Sequence, residues 1–282
     1  MQHIEFFHTD HFEYYYHRVK PPQELAQFID FFWETNFESL WEQYPEGFSD
    51  TLFPNIGYTY LINLGTPYTM QVGEKKFDMK MHGFLPRHQS IECHHRAGNC
   101  LFGIKFRISP VVYTTRVNFS EYREYIFPLS YLLEQEVLEK VKNAPSFDRR
   151  VKLLCQYFQP VIENVAEAPT PVKVVSSVLE YCERENDFSR SVEDFAAEHH
   201  ISSRTLQRYF ETCTSINCKK AMQILRIRRA TEHLSATPED FHFSKYGYYD
   251  YSHFCKHLKQ FLHKPALNII KPHLALLGRT KV

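Results

Sequence analysis

The sequence lacks the features that would place the chain in a membrane or hold it together with covalent links. No stretch approaches the roughly 18 uncharged apolar residues of a membrane span, and the N-terminus MQHIEFFHTDHFEYYYHR has neither a basic start nor an apolar run. The seven cysteines are odd in number and scattered, with no CxxC pair. We therefore expect a soluble, cytoplasmic protein with reduced thiols and no membrane partner.

The motifs of common catalytic and cofactor sites are also missing, since the chain has no GxGxxG, P-loop, GxSxG or HExxH. The stretch RHQSIECHHRAGNC does gather His88, Cys93, His94, His95 and Cys100. Three of these residues are consecutive, and on a strand they cannot all point the same way. We predict no catalytic residues, no metal site and no cofactor, and a protein that is not an enzyme.

The formal net charge of zero hides an uneven distribution. Before Val172, 16 basic residues stand against 21 acidic ones, and from Val172 onward 17 stand against 12, which gives −5 and +5. The boundary lies at the proline-rich stretch APTP, which predicts a linker. The C-terminal part is thus the candidate for binding a polyanion, although a solvated basic face is the plainer explanation of this charge.

The N-terminal part shows short aromatic and β-branched runs between turn residues, such as YTYLINLGTPYTM and NCLFGIKFRISP. One helix is predicted within this part, at PPQELAQFIDFFWE, where Leu25, Phe28, Ile29 and Phe32 have helical spacing. From about 120 to 165 two helical stripes follow, which either pack on the sheet or pair between subunits. Pro160 should kink or shorten the second of these helices.

After the linker the periodicity is helical throughout. Ser191 is a predicted N-cap with Asp194 three residues later, and Ser202 or Ser203 caps the next helix. On that helix three apolar residues face inward, namely Leu206, Phe210 and Cys213, and four polar ones face outward, namely Arg204, Gln207, Arg208 and Glu211. A long helix is predicted from about 217 to 234.

Two short helices joined by a tight turn, with arginine and glutamine on the second, are what a helix-turn-helix needs. The second helix enters a major groove, where arginine pairs with guanine and glutamine with adenine. Arg208 and three arginines of the long helix are expected to contact phosphates or to form intramolecular ion pairs. These long-helix residues are Arg226, Arg228 and Arg229.

The stretch SVEDFAAEHHISSRTLQRYFETCTSINCKKAMQILRIRRATEHL resembles the first half of the DNA-binding domain of AraC/XylS-type transcription regulators. GYYDYSHFCKHLKQFLHKP is similar to the second helix-turn-helix of that family. The resemblance covers about a hundred residues. It implies two helix-turn-helix units, joined by the long helix, that enter major grooves about 34 Å or 10 bp apart.

The resemblance also implies which residues contact DNA. In the first unit Arg204 and Gln207 are the base-reading candidates, and Arg208 contacts a base or a phosphate. In the second unit the residues expected to face the groove are Tyr251, Ser252 and Lys256, with Lys259 on a phosphate. The buried face of that helix is expected to hold Phe254, Leu258 and Phe261.

The chain departs from the family pattern at several positions. Phe243 replaces a small residue at the helix crossing of the second unit, next to His242, and His263 replaces a glycine. A bulky ring at a close crossing pushes helices apart or makes them repack. In the first unit the usual Gly-x-Ser-Pro joint reads Ser-Ile-Asn-Cys, from Ser215 to Cys218.

The sequence therefore predicts an α+β protein. Residues 1–167 form a β-rich, barrel-like domain with flanking helices, and 172–275 form an all-α domain with two helix-turn-helix units. FIDFFWE and LFGIKFRISP are similar to an uncharacterised domain found ahead of such DNA-binding domains in some bacterial regulators. By analogy, this domain binds a small-molecule effector or mediates homodimerisation.

Two functions remain open. The first is a sequence-specific transcription regulator, and an activator if it follows most of the family, with double-stranded DNA and RNA polymerase as partners. The alternative is a regulator-derived protein that binds a ligand or partner and reads DNA weakly or not at all, because its second unit is degenerate.

Overall fold

The computed structural model describes residues 1–108, 125–163, 170–185, 188–262 and 264–279. Strands dominate up to residue 108 and helices dominate from residue 135, which confirms the predicted fold class. The linker residues Ala168 and Pro169 lie outside the described residues, whereas Thr170 and Pro171 already belong to a helix. The predicted division between 167 and 172 stays a prediction.

The described strands form two sheets that pack face to face. One sheet has the order β1-β4-β9-β6-β7 and the other the order β11-β8-β5-β10-β3-β2. The strands are β1 Gln2–Ile4, β2 Tyr16–Val19, β3 Ile29–Thr35, β4 Phe48–Leu52, β5 Tyr58–Asn63, β6 Tyr68–Val72, β7 Lys75–Met79, β8 Gly83–Pro86, β9 Ile91–His95, β10 Leu101–Phe106 and β11 Phe127–Pro128. β1 and β4 are parallel, and the other pairs are antiparallel.

The central strands of the six-stranded sheet are buried on both faces, which explains their apolar sequences. β5 and β10 are buried along their whole length, because the other sheet covers one face and helices cover the opposite face. Gly103 in β10 lies under Trp33, and a Cβ at this position would come within 2.1 Å of the Trp33 ring. The indole therefore requires glycine on the neighbouring strand.

The predicted helix at 21–34 was wrong. A short 3₁₀ turn covers Gln23–Leu25, and the chain then continues as β3 between β2 and β10. The four residues at helical spacing are all buried, but the run IDFFWET is rich in β-branched and aromatic side chains, which fit a pleated sheet. Pairing with two neighbouring strands overrode the helical period.

The helical end of the N-terminal part packs on its own sheet. Its helices are α3 Gln135–Lys142 and α4 Phe147–Glu163, and two shorter ones, α1 Thr9–Tyr15 and α2 Glu38–Gln43, precede them. Phe158 of α4 packs edge-on against Phe106 of β10 at 5.4 Å between ring centroids. Pro160 lies inside α4, which runs on to Glu163, so the proline does not end the helix there.

The C-terminal part consists of helices around a long central one. They are α5 Thr170–Glu185, α6 Val192–Glu198, α7 Ser203–Thr214, α8 Cys218–Ala236, α9 Tyr251–Phe261 and α10 Lys264–Arg279. Charged contacts connect this part to the sheets. Arg107 approaches Glu183 of α5 at 3.3 Å, and Glu5 pairs with Arg228 of α8 at 2.8 Å.

Candidate nucleic-acid interface

The first helix-turn-helix unit consists of α6, a tight turn and α7. Ser191 caps α6 in a reciprocal capping box: its hydroxyl accepts from the Asp194 N–H at 3.1 Å, and the Asp194 carboxylate accepts from the Ser191 N–H at 2.8 Å. His200 adopts a positive φ of 54° in the turn, and Ser202 caps α7 by accepting from the Thr205 N–H. The predicted caps are confirmed.

The inner face of α7 is completely buried. Leu206, Phe210 and Cys213 are each 0% exposed, as their spacing predicted. Ala196 of α6 is 3% exposed, in keeping with the small residue expected at the helix crossing. Burial raises the pKa of the Cys213 thiol to about 12, so this cysteine stays neutral in the core. Packing thus fixes which face of α7 points outward.

The outer face of α7 presents arginines to solvent. Arg204, in the first turn, and Arg208, one turn later, are both exposed. Within the described part of the chain, neither guanidinium forms an ion pair with a carboxylate. The Arg208 guanidinium lies 6.0 Å from the centroid of the Tyr209 ring. Two exposed cations near the start of a helix, without a carboxylate partner among the described residues, can contact phosphates or bases.

Gln207 occupies a different environment from the two arginines. Its side chain is half-buried, and its carbonyl oxygen accepts a hydrogen bond from the backbone N–H of Cys218 at 3.3 Å. Cys218 is the first residue of α8, so Gln207 ties the recognition helix to the long helix. Sequence reasoning missed this contact, because the two residues are far apart in helical spacing and a turn separates them.

The joint between α7 and α8 contains neither glycine nor proline. Ser215 takes the left-handed conformation, with φ 62°, at the position where the family usually has glycine. The Thr214 hydroxyl donates to the Phe210 carbonyl at 2.7 Å, and the Asn217 side chain caps α8 by accepting from the Lys220 N–H at 2.8 Å. Polar side chains thus satisfy the backbone at this joint.

Two of the three arginines on α8 form intramolecular ion pairs. Arg228 binds Glu5, and Arg229 binds Glu232 at 3.0 Å. The Arg226 guanidinium lies over the Tyr248 ring, 4.6 Å from its centroid. Of the two roles left open for this cluster, the structure supports the intramolecular one for Arg228 and Arg229.

The second unit lacks a regular first α-helix. A four-residue 3₁₀ turn, Phe243–Tyr246, occupies that place and ends at Gly247, with φ 70°. Phe243 is half-buried, and the core of the unit is aromatic. Within this core, ring contacts connect Phe241, Tyr246, Tyr248, Phe254 and His257. The bulky residue at the predicted crossing thus lies in a 3₁₀ turn next to an aromatic core.

The second recognition helix, α9, keeps the expected polarity. Asp250 caps it by accepting from the His253 N–H at 2.6 Å, and its apolar residues are buried, as predicted. Three of the four predicted contact residues are exposed, namely Ser252, Lys256 and Lys259. Tyr251 is half-buried, and its hydroxyl donates to the Leu274 carbonyl of α10 at 2.8 Å. His263 lies outside the described residues.

A buried tyrosine–histidine pair supports α9 from behind. The Tyr248 hydroxyl and His257 Nδ1 are 2.6 Å apart. Burial, followed by the nearby Arg226, lowers the pKa of His257 to about 4, so the ring stays neutral and can accept from the hydroxyl. Nothing in the sequence pattern pointed to this pair.

The candidate metal residues on β9 do not converge. Cys93 and His95 point to one face of the strand and His94 to the other, as the alternation predicted. Among the described residues, no group of three or more histidine, cysteine or acidic side chains has a geometry that could hold a metal ion. Burial also raises the pKa of the Cys93 thiol far above its usual range.

Comparison with known proteins places AraC-type regulators among the structural relatives. No family model and no curated protein matches the chain. An apo ToxT variant from Vibrio cholerae has a TM-score of 0.42 and 11% identity, over 78% of this chain and 93% of that chain. ToxT from the same organism, bound to an unsaturated fatty acid, has a TM-score of 0.40 and 10% identity, over 77% of this chain and 89% of that chain.

The AraC-like transcriptional activator CuxR has a TM-score of 0.27 and 11% identity, over 76% of this chain and 78% of that chain. Because the TM-scores and identities are low, we assign no function from them. No helix among the described residues is both long and apolar enough to cross a membrane.

Proposed function

We propose that the chain is a sequence-specific DNA-binding transcription regulator, and an activator as in most of the family that it resembles. One observation carries the proposal: α7 exposes Arg204 and Arg208 while its opposite face is completely buried. This arrangement fits a helix that lies in a major groove with its N-terminal side chains at base edges. Double-stranded DNA is the proposed partner.

In the first unit Arg204 is the proposed guanine reader, and Arg208 contacts a base or a phosphate. Gln207 remains the adenine candidate, although a bidentate contact needs both its carbonyl and its amide group. Its carbonyl accepts from Cys218 at a long distance of 3.3 Å, so a weak hydrogen bond would have to break on binding. Reading adenine and holding the joint are therefore in competition.

The second unit is proposed to contribute mainly affinity. Ser252 and Lys256 lie on the exposed face of α9, and Lys259 near its end is the proposed phosphate contact. Tyr251 is engaged by α10, which leaves its ring edge rather than its hydroxyl for the groove. This face carries fewer groups that distinguish bases than the face of α7 does.

A second candidate function is that of a ligand- or partner-binding protein derived from a regulator. The 3₁₀ turn in place of a full helix favours it, since a short support holds a recognition helix less firmly. A groove of about 610 Å³ in the N-terminal part offers room for a small-molecule effector. Its walls include Phe77, Met79, Phe127, Leu138 and Lys80. RNA polymerase and a second copy of the chain are further proposed partners.

Selection of duplexes from a random DNA library, with the full-length protein at about physiological salt, tests the proposal. Two enriched blocks about one helical turn apart would support a regulator with both units engaged. A single block would mean that only the first unit reads bases. No enrichment, with or without candidate effectors, would overturn the proposal in favour of the second function.

A further inference from the structure

The N-terminal part contains a buried cluster of histidines around one carboxylate. Asp50 of β4 is 0% exposed. His11 Nε2 lies 2.9 Å from one of its oxygens, and His95 Nε2 lies 3.2 Å from the other. The Tyr16 hydroxyl donates to the second oxygen at 2.6 Å. Two imidazoles and a phenol thus share a single buried negative charge.

Two more histidines extend the cluster toward the N-terminus. The His3 ring stacks face to face on His11, with centroids 3.7 Å apart and an interplanar angle of 1°. His8 lies edge-on to His3 at 5.7 Å, and its Nδ1 accepts from the Ile4 N–H at 2.8 Å. A ring nitrogen can accept only when it carries no proton, and stacked rings repel each other when both are charged.

The same N-terminal segment also contacts the C-terminal helices. We name residues 1–15 the N-terminal arm. Glu5 of the arm pairs with Arg228 of α8, whose guanidinium also lies over the Phe6 ring at 4.7 Å. Phe7 packs edge-on against His273 of α10 at 4.9 Å. Histidines of the arm thus surround Asp50, while Glu5, Phe6 and Phe7 of the same arm contact the two C-terminal helices.

The backbone of the arm is strained between these two sets of contacts. Phe6 adopts a φ of 73°, a conformation that is uncommon for a bulky residue. Such a conformation persists only where the surroundings enforce it. Loss of the contacts on one side should therefore allow the arm to relax and release the other side.

We propose that the N-terminal arm is an acid-released latch, in which protonation of His3 and His8 detaches it from Asp50 and the neighbouring strand β4 and frees α8 and α10. The geometry permits this because one carboxylate cannot neutralise several neighbouring imidazolium ions. The proposal does not depend on DNA binding.

The pKa shifts give the direction of the switch. Burial first, and the neighbouring His11 second, lower the pKa of His3 to about 4. Burial, His11 and His273 lower the pKa of His8 as well. In a released arm, His3 and His8 would regain the usual histidine pKa of about 6.5, so the released arm binds protons more tightly than the docked arm does. The latch is fully stable above about pH 6.5 and weakens as the pH falls toward 4.

The other charged groups around the cluster do not reverse this direction. Burial alone would raise the pKa of Asp50, but hydrogen bonds and charge from His11 and His95 hold it well below its usual range, so it stays ionised throughout. Glu5 also has a lowered pKa: burial opposes ionisation, but the charge and hydrogen bond of Arg228, together with the charges of Arg87 and Arg18, outweigh it. Other titratable neighbours among the described residues are the N-terminal amine, Tyr15, Tyr16, Arg18, Tyr44, Tyr68, Arg87, Glu92 and Cys93.

Hydrogen–deuterium exchange of the full-length protein at pH 7.5 and pH 5, corrected for intrinsic rates, tests the latch. We expect protection of residues 1–15 and of α10 to fall at least tenfold at the lower pH, while β5 and β10 stay protected. Unchanged protection of the arm would overturn the proposal, as would loss of protection in β5 and β10 at the same pH.

A double variant identifies the groups responsible. His3→Phe keeps a ring that stacks on His11, and His8→Asn keeps an acceptor for the Ile4 N–H, but neither side chain titrates in this range. This variant should retain arm protection at pH 5. A matched control, His94→Gln, removes a histidine on the opposite face of β9, 38% exposed, and should behave like the wild type.

If the double variant does not fold at pH 7.5, the single variant His3→Phe replaces it. Between pH 7.5 and pH 5 this variant should lose at most half as much arm protection as the wild type loses. Equal loss in the wild type and in the folded variant would show that other groups cause the change, and would overturn the assignment to His3 and His8.

Discussion

The two helix-turn-helix units have similar recognition helices but different supports. α7 and α9 each begin at a polar N-cap, Ser202 or Asp250, and each buries one apolar face. In the first unit a capped α-helix, α6, supports α7. In the second, a four-residue 3₁₀ turn and a group of aromatic rings support α9.

This difference shows which part of the motif determines the presentation of a recognition helix. The outward face depends on the spacing within the helix itself, and both units retain it. In the proposed function, the angle at which that face would meet DNA depends on the supporting helix, and among the described residues only the first unit has a regular one. We therefore expect base readout from the first unit and mainly phosphate contacts from the second.

The largest expected effect is on the core of the first unit. Phe210→Ala removes a ring that is 0% exposed and should lower the free energy of unfolding by about 3–5 kcal/mol, because a cavity remains. Phe243→Ala, at a half-buried ring of the second unit, is the matched change and should cost clearly less. Urea denaturation measures both. Equal losses would mean that the two units are equally well packed.

Gln207 offers a way to separate base reading from support. Gln207→Ala should cost about 1–3 kcal/mol at the cognate site. Gln207→Glu keeps an acceptor for the Cys218 N–H but has no amide donor for adenine. If Gln207 reads a base, both variants lose the preference at one base pair in competition assays. A normal preference in the glutamate variant would assign the residue to the joint alone.

Ser215→Gly tests the joint of the first unit. Ser215 has a φ of 62°, so glycine should relieve backbone strain and raise the free energy of unfolding by about 1 kcal/mol. Thr212→Gly, in the last turn of α7, is the control and should lower stability slightly, because glycine is a weaker helix former than threonine. A loss of stability with Ser215→Gly would show that the serine hydroxyl, which donates to the Thr214 carbonyl, matters more than the strain.

The smallest effect is expected in the second unit. Lys259→Ala should weaken binding to all duplexes alike and reduce the salt slope by about one unit, because it removes one phosphate contact. Titrations at several salt concentrations, with selected and scrambled duplexes, give both quantities. A loss confined to the selected duplex would show that Lys259 reads bases.

Local patterns in the sequence predicted the C-terminal part well. The caps at Ser191 and Ser202, and the buried face of α7, follow from side-chain type and spacing over a few residues. The helix predicted at 21–34 failed because its apolar residues fit two periods, and pairing with distant strands selected the strand.

Contacts across long sequence separations were beyond local patterns. The Glu5–Arg228 pair joins the N-terminal segment to α8, and the Gln207–Cys218 contact joins two helices across a turn. Both change how a basic or polar residue should be interpreted, since a side chain that is engaged within the protein is less available to DNA. The functional roles of the contact residues stay predictions.

The most direct test of the central claim, that the first unit reads bases, compares the preferred sequences of the wild type and of Arg204→Ala. Both full-length proteins are taken through selection from the same random DNA library at about physiological salt. The account predicts that the variant loses the preference for guanine at one position and keeps the remaining preferences. An identical preferred sequence for the two proteins would contradict it.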